Sequence, residues 1–308
     1  MKLHLSPREL ADVLGLGKNA VTRWVDDGQI AAPRTAGGHR RIPLVEAIRF
    51  IRHSAMPVRE PGPLEMPDLE PGRPLEADCE RIVAAIREGL MCGDGATVRR
   101  AVLTAYLDGI SVAHLCDGPI AAAMAEIGEL WRHGDDGIII EHRATDLCIQ
   151  ALNQVRSLMV TPGHDAPVAV GGALGEDPYI LPSLMAATVL ADAGWHEMNL
   201  GPGTAADALS LAAEHCRAAI CWLSITAPRP TDALLDDLRR LGRQLARQGT
   251  MLVVGGRALP AESRALDMKN LHTATTVSEL LAFARGLARS GRPVKTSGER
   301  ALVGSTAG

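Results

Sequence analysis

Lys18, Asn19, Thr22 and Arg23 fall on the outward side of one short helical stretch, and Arg34, His39, Arg40 and Arg41 surround Gly37-Gly38 shortly after it. Amide, hydroxyl and guanidinium groups spaced in this way read base edges and grip phosphates. Their chemistry needs a frame, and residues 5–53 supply one. Ser6 is an N-cap candidate, Pro7 stands at the first helical position and Glu9 at the third. Leu10, Val13 and Leu14 give a first helix its apolar face, and Gly15-Leu16-Gly17 breaks it. A second helix, about Lys18 to Asp27, turns Ala20, Val21, Trp24 and Val25 inward and stops at Gly28. Helix, tight turn, helix and basic wing is the order that sets a recognition helix into a major groove. At Gly37-Gly38 the backbone is free to turn sharply beside a phosphate.

The charge distribution agrees. Residues 1–54 hold nine Lys/Arg and five Asp/Glu, in a chain whose formal net charge is −4. A basic head on an acidic body suits a head that binds nucleic acid and a body with another task. The head resembles the winged helix-turn-helix of the MerR and excisionase-like regulators. RTAGGHRRIP looks like their wing, and a helix from about Leu44 to His53 follows it. The resemblance implies double-stranded DNA as partner.

The remaining reactive side chains do not form a catalytic set. Ser224 has neither a nearby His nor an elbow motif, which argues against a hydrolase. Gly171-Gly172, Gly201-x-Gly203 and Gly255-Gly256 do not make the dinucleotide fingerprint. Glu141 and His142 are neighbours and point about 100° apart on a helix, and no H-x3-H or E-x2-H spacing appears, so no metal site is assigned. His133 and His142 flank a helix turn near Trp131, where they line a ligand cavity or serve as hydrogen-bonded structure. His164, His196 and His215 read as solvated element ends, Asp135-Asp136 as a turn and helix cap, and Trp195 and Trp222 as core. The six Cys (79, 92, 116, 148, 216, 221) contain no C-x-x-C pair and read as reduced thiols. No catalytic residue is assigned and no enzyme is expected.

The 308 residues are long enough for two or three domains, and 46% hydrophobic content with only 3% aromatics predicts cores of small aliphatics. No apolar run is long enough to cross a bilayer and no signal peptide is evident, so a cytoplasmic protein without membrane contact is expected. The head spans 1–54. Residues 55–75, with six prolines, read as a semi-extended linker that lets the head move. Residues 76–163 read as a four-helix bundle, with helices at about 75–90, 95–107, 111–131 and 137–159. From 164 to 290 the pattern alternates. Apolar strands at 167–173, 197–201, 218–225, 250–256 and 271–274 are separated or followed by helices at 182–193, 204–216, 231–247 and 277–289. This predicts a Rossmann-like (flavodoxin-like) doubly wound parallel sheet. Residues 291–308 read as a disordered tail. A ligand in such a sheet sits at the carboxyl ends of strands near a switch point, here 174–182, 201–204, 224–230 and 255–260.

Head, bundle and doubly wound domain in this order resemble the cobalamin-dependent light-sensing repressors of the CarH and LitR type, over essentially residues 1–290. Trp131, nine residues, then Glu141-His142 looks like the bundle motif that encloses the upper face of the corrin in that family. Ser224-x-Thr226 and Gly255-Gly256 look like the elements that border the cofactor's nucleotide tail, and Glu176 matches the acid of the E/D-x-H-x-x-G loop. That loop departs where its chemistry matters most. Pro178 stands in place of the His that supplies the lower cobalt ligand, and Leu181 in place of the Gly; no His lies within ten residues of Pro178. His-ligated cobalamin is therefore disfavoured. The expectation is a DNA-binding transcription regulator, a repressor, whose body forms a dimer or higher homo-oligomer and acts without a ligand or senses another small molecule. The alternatives are a corrinoid photoreceptor using base-on binding or His142 or His133 on the other face, and a corrinoid carrier or enzyme with a DNA-binding head.

Overall fold

The computed structural model describes residues 2–72, 75, 78–130 and 136–289. They divide into two compact units, one up to residue 160 and one from residue 161 onward.

The first unit opens with β1 (His4–Leu5), α1 (Pro7–Leu14), α2 (Lys18–Asp26), β2 (Ile42–Pro43) and α3 (Leu44–Ser54). The start of α1 is fixed by a reciprocal cap: Ser6 Oγ accepts the Glu9 amide at 3.3 Å, and Glu9 Oε2 accepts the Ser6 amide at 2.7 Å. Gly15, at φ 66°, closes the helix in the left-handed conformation that the turn requires. Leu5, Leu10, Val13, Val21, Ile30, Ile42, Ile48 and Ile51 form the buried centre of the head. Trp24 is only partly buried and packs its ring 5.0 Å from that of Phe50.

The proline-rich stretch departs from the expectation of a mobile linker. Val58, Leu64, Met66, Leu69 and Leu75 are buried, and the amides of Arg59 and Glu60 bond to Val13 O at 2.8 and 3.2 Å. Asp68 accepts Arg99 Nη2 at 2.9 Å and Gln154 Nε2 at 3.2 Å, and Arg100 pairs with Glu70. The large apolar residues between the prolines act as anchors, so the stretch straps the head to the helices behind it. These are α4 (Cys79–Cys92), α5 (Gly95–Leu107), α6 (Val112–Leu115), α7 (Ala121–Leu130) and α8 (Asp136–Arg156). The expected single helix over 111–131 is interrupted at 116–120, a wide turn containing Pro119, which has no N–H to give to the helical ladder.

The second unit is a five-stranded, wholly parallel sheet. Its strands are β3 (Val168–Ala173), β4 (His196–Asn199), β5 (Ile220–Ser224), β6 (Met251–Gly255) and β7 (Leu271–Thr273), in the order β4-β3-β5-β6-β7. Its helices are α9 (Leu181–Asp192), α10 (Ala206–His215), α11 (Thr231–Gln248) and α12 (Val277–Arg289). Alternate strand residues separate onto two faces. Val170, Cys221, Leu223 and Val254 pack against α10 and α11; Ala169, Ile220, Trp222 and Val253 pack against α9 and α12. Both faces are covered, which is why the strands read as unbroken apolar runs. On α11 the stripe Leu234, Leu238, Leu241 and Leu245 is buried, and each such leucine contributes about 1.5–3 kcal/mol by leaving water. The strand order reverses between β3 and β5, so the switch-point crevice lies beyond their carboxyl ends. No helix among the described residues is long and apolar enough to cross a membrane.

Candidate nucleic-acid interface and ligand crevice

On α2, Lys18, Asn19 and Arg23 are exposed and Thr22 is half-buried, while Val21 faces the core. The wing that follows is a small hairpin. Arg34 and Arg40 form an antiparallel bridge, the Thr35 amide bonds to His39 O at 2.9 Å, and the Arg41 amide bonds to Pro33 O at 2.9 Å. Gly38 takes φ 76° at its turn, a conformation costly for any residue with a Cβ. Arg34, His39 and Arg41 are exposed. Arg40, expected as a DNA-facing cation, is half-buried and makes a bidentate pair with Asp26: Nη2 lies 2.6 and 2.8 Å from the two carboxylate oxygens. Arg34 Nη2 reaches the same carboxylate at 3.4 Å. Sequence reading counted Asp26 only as a charge. Its signal was an acid at the end of the recognition helix among cations.

In the bundle, Trp131 and His133 lie outside the described residues. Glu141 and His142 sit in the first turns of α8, with His142 Nε2 3.8 Å from Glu141 Oε2. The His142 side chain is 78% exposed and that of Glu141 24%.

In the second unit the structure gathers Glu176, Ser224, Thr226 and Gly255-Gly256 at the carboxyl ends of β3, β5 and β6. Ser224 is level with Ala173 on one side and Gly255 on the other. Ser224 Oγ and Thr226 Oγ1 are buried without a hydrogen-bond partner, on residues 6% and 5% exposed. A Cβ on Gly255 would overlap Ala274 O, and one on Gly256 would overlap Ile225 O. Backbone packing alone therefore accounts for this Gly-Gly pair. Glu176 is exposed. The acid that organises the crevice is its neighbour Asp177, which sequence reading did not single out. It is 1% exposed; its Oδ2 accepts the Thr226 and Ala227 amides at 2.5 and 3.0 Å, and its Oδ1 the Tyr179 amide at 3.1 Å. Arg257 completes the rim, with Nε 3.4 Å from Thr226 O and its guanidinium 4.9 Å from the Tyr179 ring centre.

The indole of Trp222, 2% exposed, lies against the backbone at Gly171, where a Cβ would overlap the ring. Trp222 Nε1 donates to Ser183 Oγ on α9 at 3.2 Å, and Ser183 donates to Asn199 Oδ1 at 2.8 Å. Leu181, the first residue of α9, is buried.

Residues 5–53 match the helix-turn-helix domain family, and residues 82–156 the B12 binding domain family. Among curated proteins no relative matches the chain. Among solved structures it is similar to the Methanosarcina barkeri monomethylamine corrinoid protein, at 16% identity and TM-score 0.52, over 68% of this chain and 100% of that one. At that identity the likeness is one of fold. Two others are a cobalamin-binding protein from Desulfitobacterium hafniense DCB-2, at 14% identity and TM-score 0.35 over 67% and 98% of the two chains, and the methanol:cobalamin methyltransferase complex MtaBC from Methanosarcina barkeri, at 15% identity and TM-score 0.35 over 70% and 82%.

A corrinoid held from below by an imidazole does not fit the residues of this crevice. Pro178 is exposed on the loop after β3, and its one nitrogen is a tertiary peptide amide with no lone pair to give a metal. The histidines of the second unit lie elsewhere. His164 and His215 precede β3 and β5, and His196 opens β4 with Nε2 2.9 Å from Gly163 O, all toward the amino ends of the parallel strands. His272 is within β7, stacked 4.3 Å from Phe283.

Proposed function

We propose, from the premise that the chain is a helix-turn-helix protein carrying a B12 binding domain, that it is a DNA-binding transcription regulator of MerR type, a repressor and not an enzyme. Its bundle and sheet domain assemble the chain into a dimer or a multiple of one, and sense a small molecule other than His-ligated cobalamin. The observation that carries the reading is the joint exposure of Lys18, Asn19 and Arg23 on one helix and of Arg34, His39 and Arg41 on the wing beside it. Two such heads on one assembly give the paired half-site contacts by which regulators of this kind reach useful affinity.

The test is a gel shift with duplex DNA over a range of salt. Binding should fall steeply as salt rises, because phosphate contacts release counterions. Replacing Arg40 and Arg41 with Ala should weaken binding to every sequence, and replacing Arg23 should relax sequence choice. Unchanged binding after all three changes contradicts the assignment. Sedimentation of the full chain at micromolar concentration tests the assembly, and a strict monomer opposes it.

A second reading is a corrinoid held in another mode. It is favoured by the B12 binding domain match over 82–156, which contains His142, and by the exposure of that imidazole. Equilibrium dialysis against adenosylcobalamin in the dark, followed by an absorption spectrum, separates the two. Stoichiometric retention that is lost in His142→Ala supports the second reading.

A further inference from the structure

We infer that Asp26 is a positioning residue for DNA binding: it tethers the wing to the recognition helix, so that an acid on the DNA-facing surface strengthens binding. The inference rests on the DNA-binding reading above. By charge alone Asp26 is misplaced twice. It ends α2, where the helix dipole disfavours an anion. It also stands among the cations meant for a polyanion, where it repels phosphate.

The geometry supplies a reason for it. The wing is anchored at its base, where the Gln29 and Ile30 amides bond to Trp24 O at 2.9 and 3.2 Å and the Ala31 amide to Glu46 Oε1 at 2.8 Å. Beyond the base, the hairpin's own hydrogen bonds hold its two strands to each other and not to α2. Asp26 makes that link. One carboxylate receives Arg40 through Nε at 3.2 Å and Nη2 at 2.6 and 2.8 Å, and Arg34 at 3.4 Å, so both strands of the wing converge on a single side chain at the end of α2. A bidentate guanidinium–carboxylate pair fixes orientation as well as distance. The tether therefore sets where His39 and Arg41 stand relative to Lys18, Asn19 and Arg23, before any DNA arrives.

Electrostatics and positioning give opposite signs for one substitution. Asp26→Asn removes a negative charge, which by charge alone tightens binding. If Asp26 positions the wing, the same change weakens binding by roughly two- to fivefold, the range for a well-formed exposed pair. Fluorescence anisotropy of the full-length protein on a duplex that the wild type selects from a random pool reads this directly. Asp26→Glu, which keeps the carboxylate, should retain more affinity than Asp26→Asn. In an Arg40→Gln background, Asp26→Asn should no longer weaken binding. Hydrogen exchange of the full chain gives a reading that needs no DNA: the amides of residues 38–41 should exchange faster in Asp26→Asn while those of α1 stay as in the wild type. Equal or tighter binding by Asp26→Asn, or unchanged exchange in the wing, overturns the proposal. If the wild type binds no duplex at all, the DNA-binding reading fails, and the exchange experiment alone decides whether Asp26 tethers the wing.

Discussion

Asp177 Oδ2 lies 2.5 Å from the backbone nitrogen of Thr226, 49 residues further along the chain. The bond fastens the loop after β3 to the loop after β5, across the switch point where a ligand of this fold would enter. A buried carboxylate with three backbone amides around it offsets the cost of its own desolvation.

Removing that carboxylate leaves buried amides unpaired. Asp177→Ala should destabilise the second unit by about 1–3 kcal/mol or more, the cost of stranded buried donors. Urea unfolding followed by labelling of the Cys221 thiol, which is buried in β5, measures it. An unchanged midpoint contradicts the role given to Asp177.

The head and the bundle are joined at Arg52. Its Nη1 donates to Tyr106 O and, at 3.3 Å, to Ile110 O, and its guanidinium lies 3.6 Å from the Tyr106 ring centre. Arg52→Ala removes these donors and the stacking together. The expected result is a head that opens by itself, seen as faster hydrogen exchange over 4–54 with little change over 79–107. Equal acceleration in both regions would show that Arg52 stabilises the first unit as a whole.

The head also has an acid limit. The side-chain hydrogen bond from Lys2, with the Ser6 amide, holds the Glu9 carboxyl from its ordinary 4.5 down to about 2. A carboxyl depressed on folding contributes stability above its unfolded value and loses it as pH falls through the folded one. The wild-type head should therefore lose stability between about pH 4.5 and 2, and Glu9→Gln should flatten that dependence while lowering stability at neutral pH. A parallel pH profile for the two proteins in that window rules the assignment out.

The thiols divide by burial. Burial pushes Cys148 and Cys221 up to about 12, and Cys116 is buried with them, whereas Cys79 and Cys92 are exposed at the two ends of α4. A thiol reagent on the native protein should label Cys79 and Cys92 first and reach Cys148 and Cys221 only on unfolding. Mass mapping of the labelled peptides decides it, and early labelling of Cys221 would contradict the packing described for β5.

Local chemistry wrote much of this architecture into the sequence. Ser6, Pro7 and Glu9 start a helix by capping rules that need nothing distant, Gly15 and Gly28 stop helices, and the apolar runs at 168–173, 220–224 and 251–255 are strands because both of their faces are buried. The exposed cations of α2 follow from periodicity, which sorts polar from apolar positions on a short helix, and those of the wing from their clustering around Gly37-Gly38. What composition concealed was decided by contacts between distant residues. The prolines of 55–75 suggest mobility, but Val58, Leu64 and Leu69 find apolar partners only once the first unit is folded. Asp26 and Asp177 are ordinary acids in the sequence. One becomes the tie between wing and helix because Arg40 folds back within 2.6 Å of it, and the other becomes the tie between two loops because β3 and β5 lie side by side. Sequence periodicity records which way a residue faces; it does not record which distant donor arrives there, and that arrival is what gave these two carboxylates their roles.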